Sequence, residues 1–343
     1  MTHDPVPPRN PRSAIATEMA AHRAVRAVRP VEQRARGYVA GVTTFTGTRQ
    51  TAESRASPRA SPRALIVTIY GLYARNQAGD AGGWLSVAAL IRLMGALGAD
   101  QAAVRSSISR LKQRGILEPL RLGGAAGYAL SQRGREILAE GDSRIFERPR
   151  ARLADGWLLA VFSVPERERG RRHALRSRLS WLGFGTVSAG VWIAPAHLAR
   201  ETRDVLARDG LSGYVDLFSA HYLAFGDLRG QVGCWWDLDR LEQLYQAFLD
   251  RSGPVRERWR GRRAGPADGE AAFADYVLAL TAWRRLPFLD PGLPAELLPA
   301  DWHGARAARA FGALRARLAA PARGHVLAVT GQAPGVTVEP APE

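Results

Sequence analysis

The chain has 343 residues, which is long enough for two or three domains that each bury a hydrophobic core. It has no run of 18 apolar residues and no apolar leader with a cleavage site, and its single cysteine excludes an intramolecular disulfide or a multi-cysteine metal site. We therefore expect a cytoplasmic protein with no membrane partner. The net charge of +16 favours an acidic partner, and nucleic acid is the most common one.

The position of the cations is more informative than their number. Only Lys112 among the 48 basic residues is lysine, and alanine and glycine are abundant, which is typical of a coding bias that places arginine wherever a solvated cation is tolerated. Residues 1–60 contain almost no periodic apolar pattern and are predicted to form a disordered basic tail. Such a tail either contacts DNA phosphates or is only a solvated extension.

Two helices are predicted after this tail. The first begins at Ser61, a favourable N-cap, with Pro62 at its first position. The second follows a turn at Gly82 and Gly83 and has Ser86 as its N-cap. Each helix carries a stripe of apolar residues at helical spacing: Leu65, Ile69, Leu72 and Tyr73 in the first, and Val87, Leu90, Ile91 and Met94 in the second.

A third helix is predicted in the stretch QAAVRSSISRLKQRGIL, residues 101–117. Asp100 is its N-cap and Gly115 ends it. One face is apolar and consists of Val104, Ile108 and Leu111. The rest of its surface has cations and short hydrogen-bonding side chains with no carboxylate: Gln101, Arg105, Ser106, Ser109, Arg110, Lys112 and Gln113.

Two strands, ILEPLRL and GYALS, follow, joined by the flexible segment GGAAG, and Ser131 then caps another helix. This order of helices and hairpin is typical of a winged helix-turn-helix domain, which we place at residues 61–150. In that fold the third helix enters the major groove. The alternative is an ordinary solvated helix face.

The DNA contacts expected from this domain are of two kinds. Arginine can bond guanine and glutamine can bond adenine in the major groove, whereas other cations hold phosphates. Tyr128 either joins the hairpin surface or packs beneath it. The residues expected at base edges are Gln101, Arg105, Ser106, Ser109 and Arg110, and those expected at the DNA backbone are Lys112, Arg114 and Arg121.

The middle of the chain changes its pattern. Strand, helix, strand (GTVSAGVWIAP), helix and strand follow one another, which predicts a ferredoxin-like α+β domain over residues 151–252. An arginine-rich linker at residues 256–265 then leads into two helices of a C-terminal α-helical domain, residues 253–325. The remaining residues, 326–343, are predicted to form a flexible tail. The predicted fold class is therefore α+β.

Four segments in this order resemble the PaaX-type phenylacetic acid catabolon repressors: SPRALIVTIYGLYAR, GGWLSVAALIRLMGALGADQAAVRSSISRLKQRGILEP, WLGFGTVSAGVWIAP and LPFLDPGLPAELLPADWHG. The similarity spans about residues 62–320. It implies a homodimeric transcriptional repressor with a winged-helix domain, a ferredoxin-like middle domain similar to the small CRISPR-associated nucleases, and a helical C-terminal domain. It also implies release from operator DNA of an aromatic-acid catabolic operon by an aryl-CoA thioester, typically phenylacetyl-CoA.

The alternative class of protein is an enzyme. A metal-dependent nuclease of the middle domain needs an aspartate near the end of its first strand, where this chain has Ser163, and the nearest carboxylate is Glu166. The histidines lack metal-binding spacing, and Cys234 is expected to be a buried small apolar residue. We expect no catalytic residues, no metal and no cofactor. The alternatives that stay open are this nuclease and a nonspecific DNA-binding protein.

A CoA effector needs cations for its phosphates and an apolar pocket for its acyl group. Two arginine clusters are candidates, and for the first the alternative is a solvated linker. We assign the effector site to neither cluster. The first consists of Arg256, Arg258, Arg260, Arg262 and Arg263, and the second of Trp283, Arg284 and Arg285.

Overall fold

The computed structural model describes residues 60–75, 83–147, 149–223, 225–262 and 264–331. The basic tail predicted for residues 1–60 therefore lies outside the described residues except for its last one, as does Gly82 of the predicted turn. Among the described helices, none is both long enough and apolar enough to cross a membrane.

The first region consists of four helices and a three-stranded sheet. Its predicted caps are confirmed, because the side chains of Ser61, Ser86, Asp100 and Ser131 each accept a backbone N–H of the helix that follows. The first and last helices continue into π-helical turns, at 70–74 and 143–147. The elements are α1 Pro62–Ile69, β1 Leu85–Ser86, α2 Val87–Ala96, α3 Gln101–Gln113, β2 Leu117–Leu122, β3 Ala125–Leu130 and α4 Gln132–Asp142.

The hairpin is tighter than predicted. Only Gly123 and Gly124 form its turn, and residues 125–127 of the predicted loop belong to β3. Both turn residues have positive φ, which a two-residue hairpin of this kind requires. The sheet order is β1-β3-β2, so the short unpredicted strand β1 pairs with β3. A Cβ on Gly127 would lie 2.5 Å from the Leu85 carbonyl oxygen, which explains a glycine within this strand.

The middle region has four strands rather than the three predicted. The segment GTVSAGVWIAP, expected to be one strand, is a hairpin that turns at Ala189 and Gly190. All pairings are antiparallel in the order β5-β6-β4-β7, which is the split β-α-β arrangement of ferredoxin-like domains. The elements are β4 Trp157–Phe162, α5 Arg169–Leu182, β5 Gly185–Ser188, β6 Val191–Pro195, α6 Ala199–Arg208 and β7 Val215–Ala220.

The last region is helical, as predicted, but its limits differ. Helix α8 passes through the expected domain boundary at residue 252 and includes 256–258 of the predicted linker. Helix α10 includes 326–330 of the predicted flexible tail, because Val326 is buried against the other helices. The elements are α7 Leu228–Trp235, α8 Leu238–Arg258, α9 Gly269–Trp283 and α10 His303–Thr330.

The first region packs directly on the C-terminal helices. Helices α1 and α2 contact α9 and α10, and a single hydrophobic core runs through all of them. The buried hydroxyls of Thr68 and Thr281 are 2.8 Å apart and share a hydrogen bond across this contact. A second core lies between the middle sheet and its two helices. The position of α3 is therefore fixed to the C-terminal helices as well as to its own neighbours.

Candidate nucleic-acid interface

Helix α3 separates its two faces as the sequence predicts. Val104, Ile108 and Leu111 are buried against α1 and α2, and Ser107 is buried with them. The helix begins at the Asp100 cap, where the carboxylate accepts the Ala103 N–H at 3.0 Å. The eight candidate DNA contacts are all exposed, seven of them on α3 or directly after it: Gln101, Arg105, Ser106, Ser109, Arg110, Lys112 and Arg114, with Arg121 on β2.

The exposed side of α3 carries polar groups that the described residues leave available. No hydrogen bond or ion pair within the described part of the chain occupies the side chains of Gln101, Arg105, Ser106, Ser109 or Lys112. Because exposed arginine and lysine side chains without carboxylates can reorient freely, this surface suits a polyanion such as a nucleic-acid backbone.

A further arginine, Arg63 of α1, lies near this surface. Burial lowers the pKa of Arg63, and the positive charges of Arg114 and Arg110 lower it further, which places the three guanidinium groups within electrostatic reach of one another. An anion near the three would relieve their repulsion. Arg63 is not among the residues selected from the sequence, although its place at the second position of α1, directly after Pro62, is a local feature of the sequence.

A hydrogen bond joins the hairpin of β2 and β3 to the helical turn that follows α1. The Tyr70 hydroxyl donates to the Tyr128 carbonyl oxygen at 2.9 Å, and the Tyr128 side chain is half-buried against the core. Arg121 lies on the exposed side of β2 and reaches the Gly124 carbonyl at 3.4 Å, across the turn. The structure therefore places Arg121 on the hairpin and Tyr128 beneath it.

Three of the five arginines of the first candidate effector cluster are paired with carboxylates. Arg258 bonds both oxygens of Asp275, at 3.1 and 2.9 Å, and Arg262 bonds Asp268. Arg260 pairs with Glu257 at 2.7 Å. Arg263 lies outside the described residues. These arginines thus stabilise the turn between α8 and α9.

The second cluster lies partly in the core. Trp283 is buried and stacks on Phe311 with 5.0 Å between ring centroids. Arg284 donates to the Ala64 carbonyl oxygen of α1 at 3.3 Å, and burial, followed by the charge of Arg285, lowers the pKa of Arg284 to about 10. Arg284 therefore connects α9 to α1, whereas the side chain of Arg285 is exposed.

The middle domain lacks the residue types of a metal-dependent nuclease at the expected place. Ser163 follows β4, and Glu166 is paired with Arg172 at 2.8 Å. Within the described ranges, no group of three His, Cys, Asp or Glu side chains is arranged to hold a metal.

The expectation of a buried Cys234 is wrong, because its side chain is exposed. It lies on the last turn of α7, whose neighbouring tryptophans turn toward the sheet instead. Trp235 and Trp236 each lie about 6 Å from Trp157, measured between ring centroids. These aromatic contacts use the buried side of α7 and leave the cysteine on the other side.

Comparisons with known proteins agree with this architecture. Three family models match in order along the chain: PaaX-like protein at residues 61–134, PaaX protein central Cas2-like domain at residues 150–232, and PaaX-like protein C-terminal domain at residues 236–328. They cover most of the chain between them. The chain belongs to the PaaX family, and its four-stranded middle region is the Cas2-like domain.

Two individual proteins illustrate the likeness. Transcriptional repressor PaaX of Escherichia coli (strain K12) is 27% identical over 247 residues, which cover 71% of this chain and 76% of that protein. Among solved structures, uncharacterized protein Rv0674 from Mycobacterium tuberculosis has a TM-score of 0.52 and 25% identity, covering 78% of this chain and 99% of that one.

Proposed function

We propose that this protein is a sequence-specific DNA-binding transcriptional repressor. In this proposal, residues 61–150 act as a winged helix-turn-helix domain and α3 is its reading helix. The observation that carries the proposal is the exposed face of α3, which has no carboxylate, in a family whose Escherichia coli member is named a transcriptional repressor. The hairpin that follows α3 supports the same assignment.

The roles of the individual side chains follow from their chemistry. Arg105 and Arg110 can each bond guanine bidentately, and Gln101 can bond adenine in the same way. Lys112 and Arg114 lie near the end of α3, where they can hold phosphates. The short side chains of Ser106 and Ser109 can donate a hydrogen bond to any base or accept one from it. Arg121 contacts the DNA backbone from the hairpin.

A homodimer is part of this proposal, because one reading helix contacts only a few base pairs and useful specificity needs two half-sites about 34 Å apart or a multiple of that. An apolar part of the middle sheet supports a dimer. Val161, Val187 and Phe218 are 37%, 44% and 51% exposed, and a second copy would cover them.

The dimer is tested with Phe218→Glu. If the sheet face joins two copies, this variant sediments as a monomer and loses about 10²- to 10⁴-fold in operator affinity through lost bivalency. A variant that stays dimeric places the contact elsewhere. Truncation near residue 150 is a poorer test, because the first region shares its core with the C-terminal helices.

The effector in this proposal is an aryl-CoA thioester such as phenylacetyl-CoA, which releases the repressor from the operator of an aromatic-acid catabolic operon. Binding of the effector shifts the protein toward a dimer geometry in which the two reading helices no longer match the half-sites. A coupling free energy of about 1–3 kcal/mol between effector binding and DNA binding gives a 5- to 150-fold loss of DNA affinity.

The decisive experiment is footprinting upstream of the protein's own gene and its neighbours, followed by salt titrations on the protected duplex and on a random duplex. A repressor keeps a margin of about 10³-fold or more for the protected site. Equal affinity and equal salt slope on both duplexes would indicate a nonspecific DNA-binding protein. Cleavage of either duplex in Mg²⁺ or Mn²⁺ would indicate the nuclease.

A further inference from the structure

A cavity of about 440 Å³ lies where the three regions meet. Trp181 and helix α6 form one side, and residues 287 and 290–292 form the second. The third side consists of Glu140, Ser143, Arg144, Pro149 and Arg150. This volume is in the range of small-molecule sites, which also occur preferentially between domains. We call it the junction cavity.

The walls of the junction cavity combine apolar surface with two unpartnered polar atoms. Leu198, Val205 and Pro287 contribute apolar surface. Trp181 is only 4% exposed, and its indole Nε1 has no hydrogen-bond partner among the described residues. The buried Nδ1 of His197 is likewise unpartnered. Both nitrogens are buried within the walls, so the surface that a ligand can contact consists of the apolar and charged side chains.

Most charges around the junction cavity are already used to join the regions. Arg144 bonds Glu201 and the Trp181 carbonyl, so it is held in place. Arg208 pairs with Glu140 at 2.8 Å. Arg150 contacts Asp290 at 3.5 Å in the same way.

Arg200 differs from these arginines. It lines the junction cavity, it is exposed, and no carboxylate within the described part of the chain pairs with it. An anionic ligand group could therefore bind Arg200 without breaking an existing ion pair, while an apolar group occupies the space between Leu198 and Val205.

We propose that the junction cavity is the effector site of the repressor: it takes the apolar acyl end of an aromatic thioester, with the anionic remainder beside Arg200. This inference rests on the proposed function and adds the place where the effector binds. The ligand class is that of the proposed effector, and the apolar walls and the available cation of the cavity suit it.

The position of the cavity explains how binding there reaches α3. Arg144 on the cavity wall is followed by Ile145, whose carbonyl accepts the Trp283 indole N–H at 3.0 Å. The next residue, Arg284, donates to Ala64 of α1, on which α3 packs. A ligand that changes the spacing of the cavity walls therefore acts on groups directly connected to the reading helix.

The experiment titrates phenylacetyl-CoA, CoA and phenylacetate separately into the full-length protein by calorimetry. Arg200→Glu is compared with Arg203→Glu, an exposed arginine of the same helix that does not line the cavity. We expect Arg200→Glu to weaken phenylacetyl-CoA binding about 10- to 100-fold, the effect of losing a charge-assisted hydrogen bond, and Arg203→Glu to change it less than 2-fold.

A variant of opposite sign sharpens the test. Asp204 also lines the cavity, and Asp204→Asn removes a negative charge near the anion, so phenylacetyl-CoA should bind more tightly. Operator binding without ligand shows that each variant is folded. Equal effects of Arg200→Glu and Arg203→Glu, or no effect of either, would overturn the assignment of the effector site to the cavity. The proposed identity of the effector would not be affected. Failure of the wild type to bind any of the three compounds would overturn the effector proposal and the cavity assignment together, while operator binding tests the repressor separately.

Discussion

The exposed face of α3 and the turn between α8 and α9 are both rich in arginine, but they differ in what surrounds the arginines. On α3, Arg105 is exposed, and no carboxylate within the described residues pairs with it. At the turn, Arg258, Arg260 and Arg262 each contact a carboxylate. The number of cations is therefore a poor guide to a nucleic-acid interface, whereas the absence of nearby carboxylates is informative.

The physical reason is competition. A paired arginine must break its ion pair before it binds a phosphate or a base, and the carboxylate it leaves repels the incoming anion. An unpaired arginine has no ion pair to break and no neighbouring carboxylate that would repel the anion. The comparison predicts that equal changes of charge in the two regions have unequal effects on DNA binding and on stability.

The largest expected effect is on operator binding. Replacing Arg105 and Arg110 together with alanine should cost about 2–6 kcal/mol, because each bidentate base contact is worth about 1–3 kcal/mol. The preference at the contacted base pairs should relax as well. Binding to operators with each base pair substituted measures both effects.

The matched control removes the same charge from the paired region. Arg260→Ala combined with Arg262→Ala should leave operator affinity within about 2-fold, since neither arginine is expected to contact DNA. Equal losses in the two double variants would show that total charge governs binding, and the contrast between the regions would then have no functional meaning.

The second prediction concerns the stability of the other region, the turn between α8 and α9, where the arginines are paired. Asp275 accepts hydrogen bonds from Arg258 and, at 2.8 Å, from the indole N–H of the buried Trp259. Asp275→Ala should lower the free energy of unfolding by about 1–3 kcal/mol, because it leaves a buried donor unpaired. Urea unfolding measures the loss. Operator affinity per folded molecule should not change, and a change there would bring this region into the DNA interface.

The sequence identified the elements that local patterns specify. The four caps at Ser61, Ser86, Asp100 and Ser131 and the buried face of α3 are properties of short segments, and the structure confirms them. The candidate DNA contacts could be chosen for the same reason, and their exposure agrees with that choice, while their contacts with DNA stay a prediction.

The features that could not be predicted from the sequence depend on contacts between residues that lie far apart in the chain. The pairing of Arg258 with Asp275 joins residues 17 positions apart on different helices. The turn at Ala189 and Gly190 is marked only by small residues within the segment GTVSAGVWIAP, and the strand pairing that defines the hairpin is not a property of the local pattern. The junction cavity draws its walls from three regions, and no local pattern could predict it.

The third effect concerns phosphates and is smaller. Lys112→Ala should weaken operator and random duplexes to a similar degree and lower the salt slope, the change of log affinity with log salt concentration, by about one unit. Arg260→Ala should leave that slope unchanged. Titrations from low to moderate salt on both duplexes decide the point, and a loss confined to the operator would instead make Lys112 a base contact.

The smallest effect is a dependence of stability on pH, and it arises among the paired charges of the junction cavity. Burial lowers the pKa of His197, and the nearby positive charge of Arg144 lowers it further, while Glu201, Asp155 and Asp290 partly oppose this. The folded protein therefore binds a proton at His197 less readily than the unfolded chain, in which the pKa is about 6.5. The stability contributed by the neutral imidazole is fully present above that value and falls as the pH drops through the lower pKa of the folded state. Urea unfolding between about pH 5 and 8 should show a smaller loss of stability on acidification for His197→Gln than for the wild type. If the wild type and His197→Gln lose stability equally on acidification, His197 is not the titrating group.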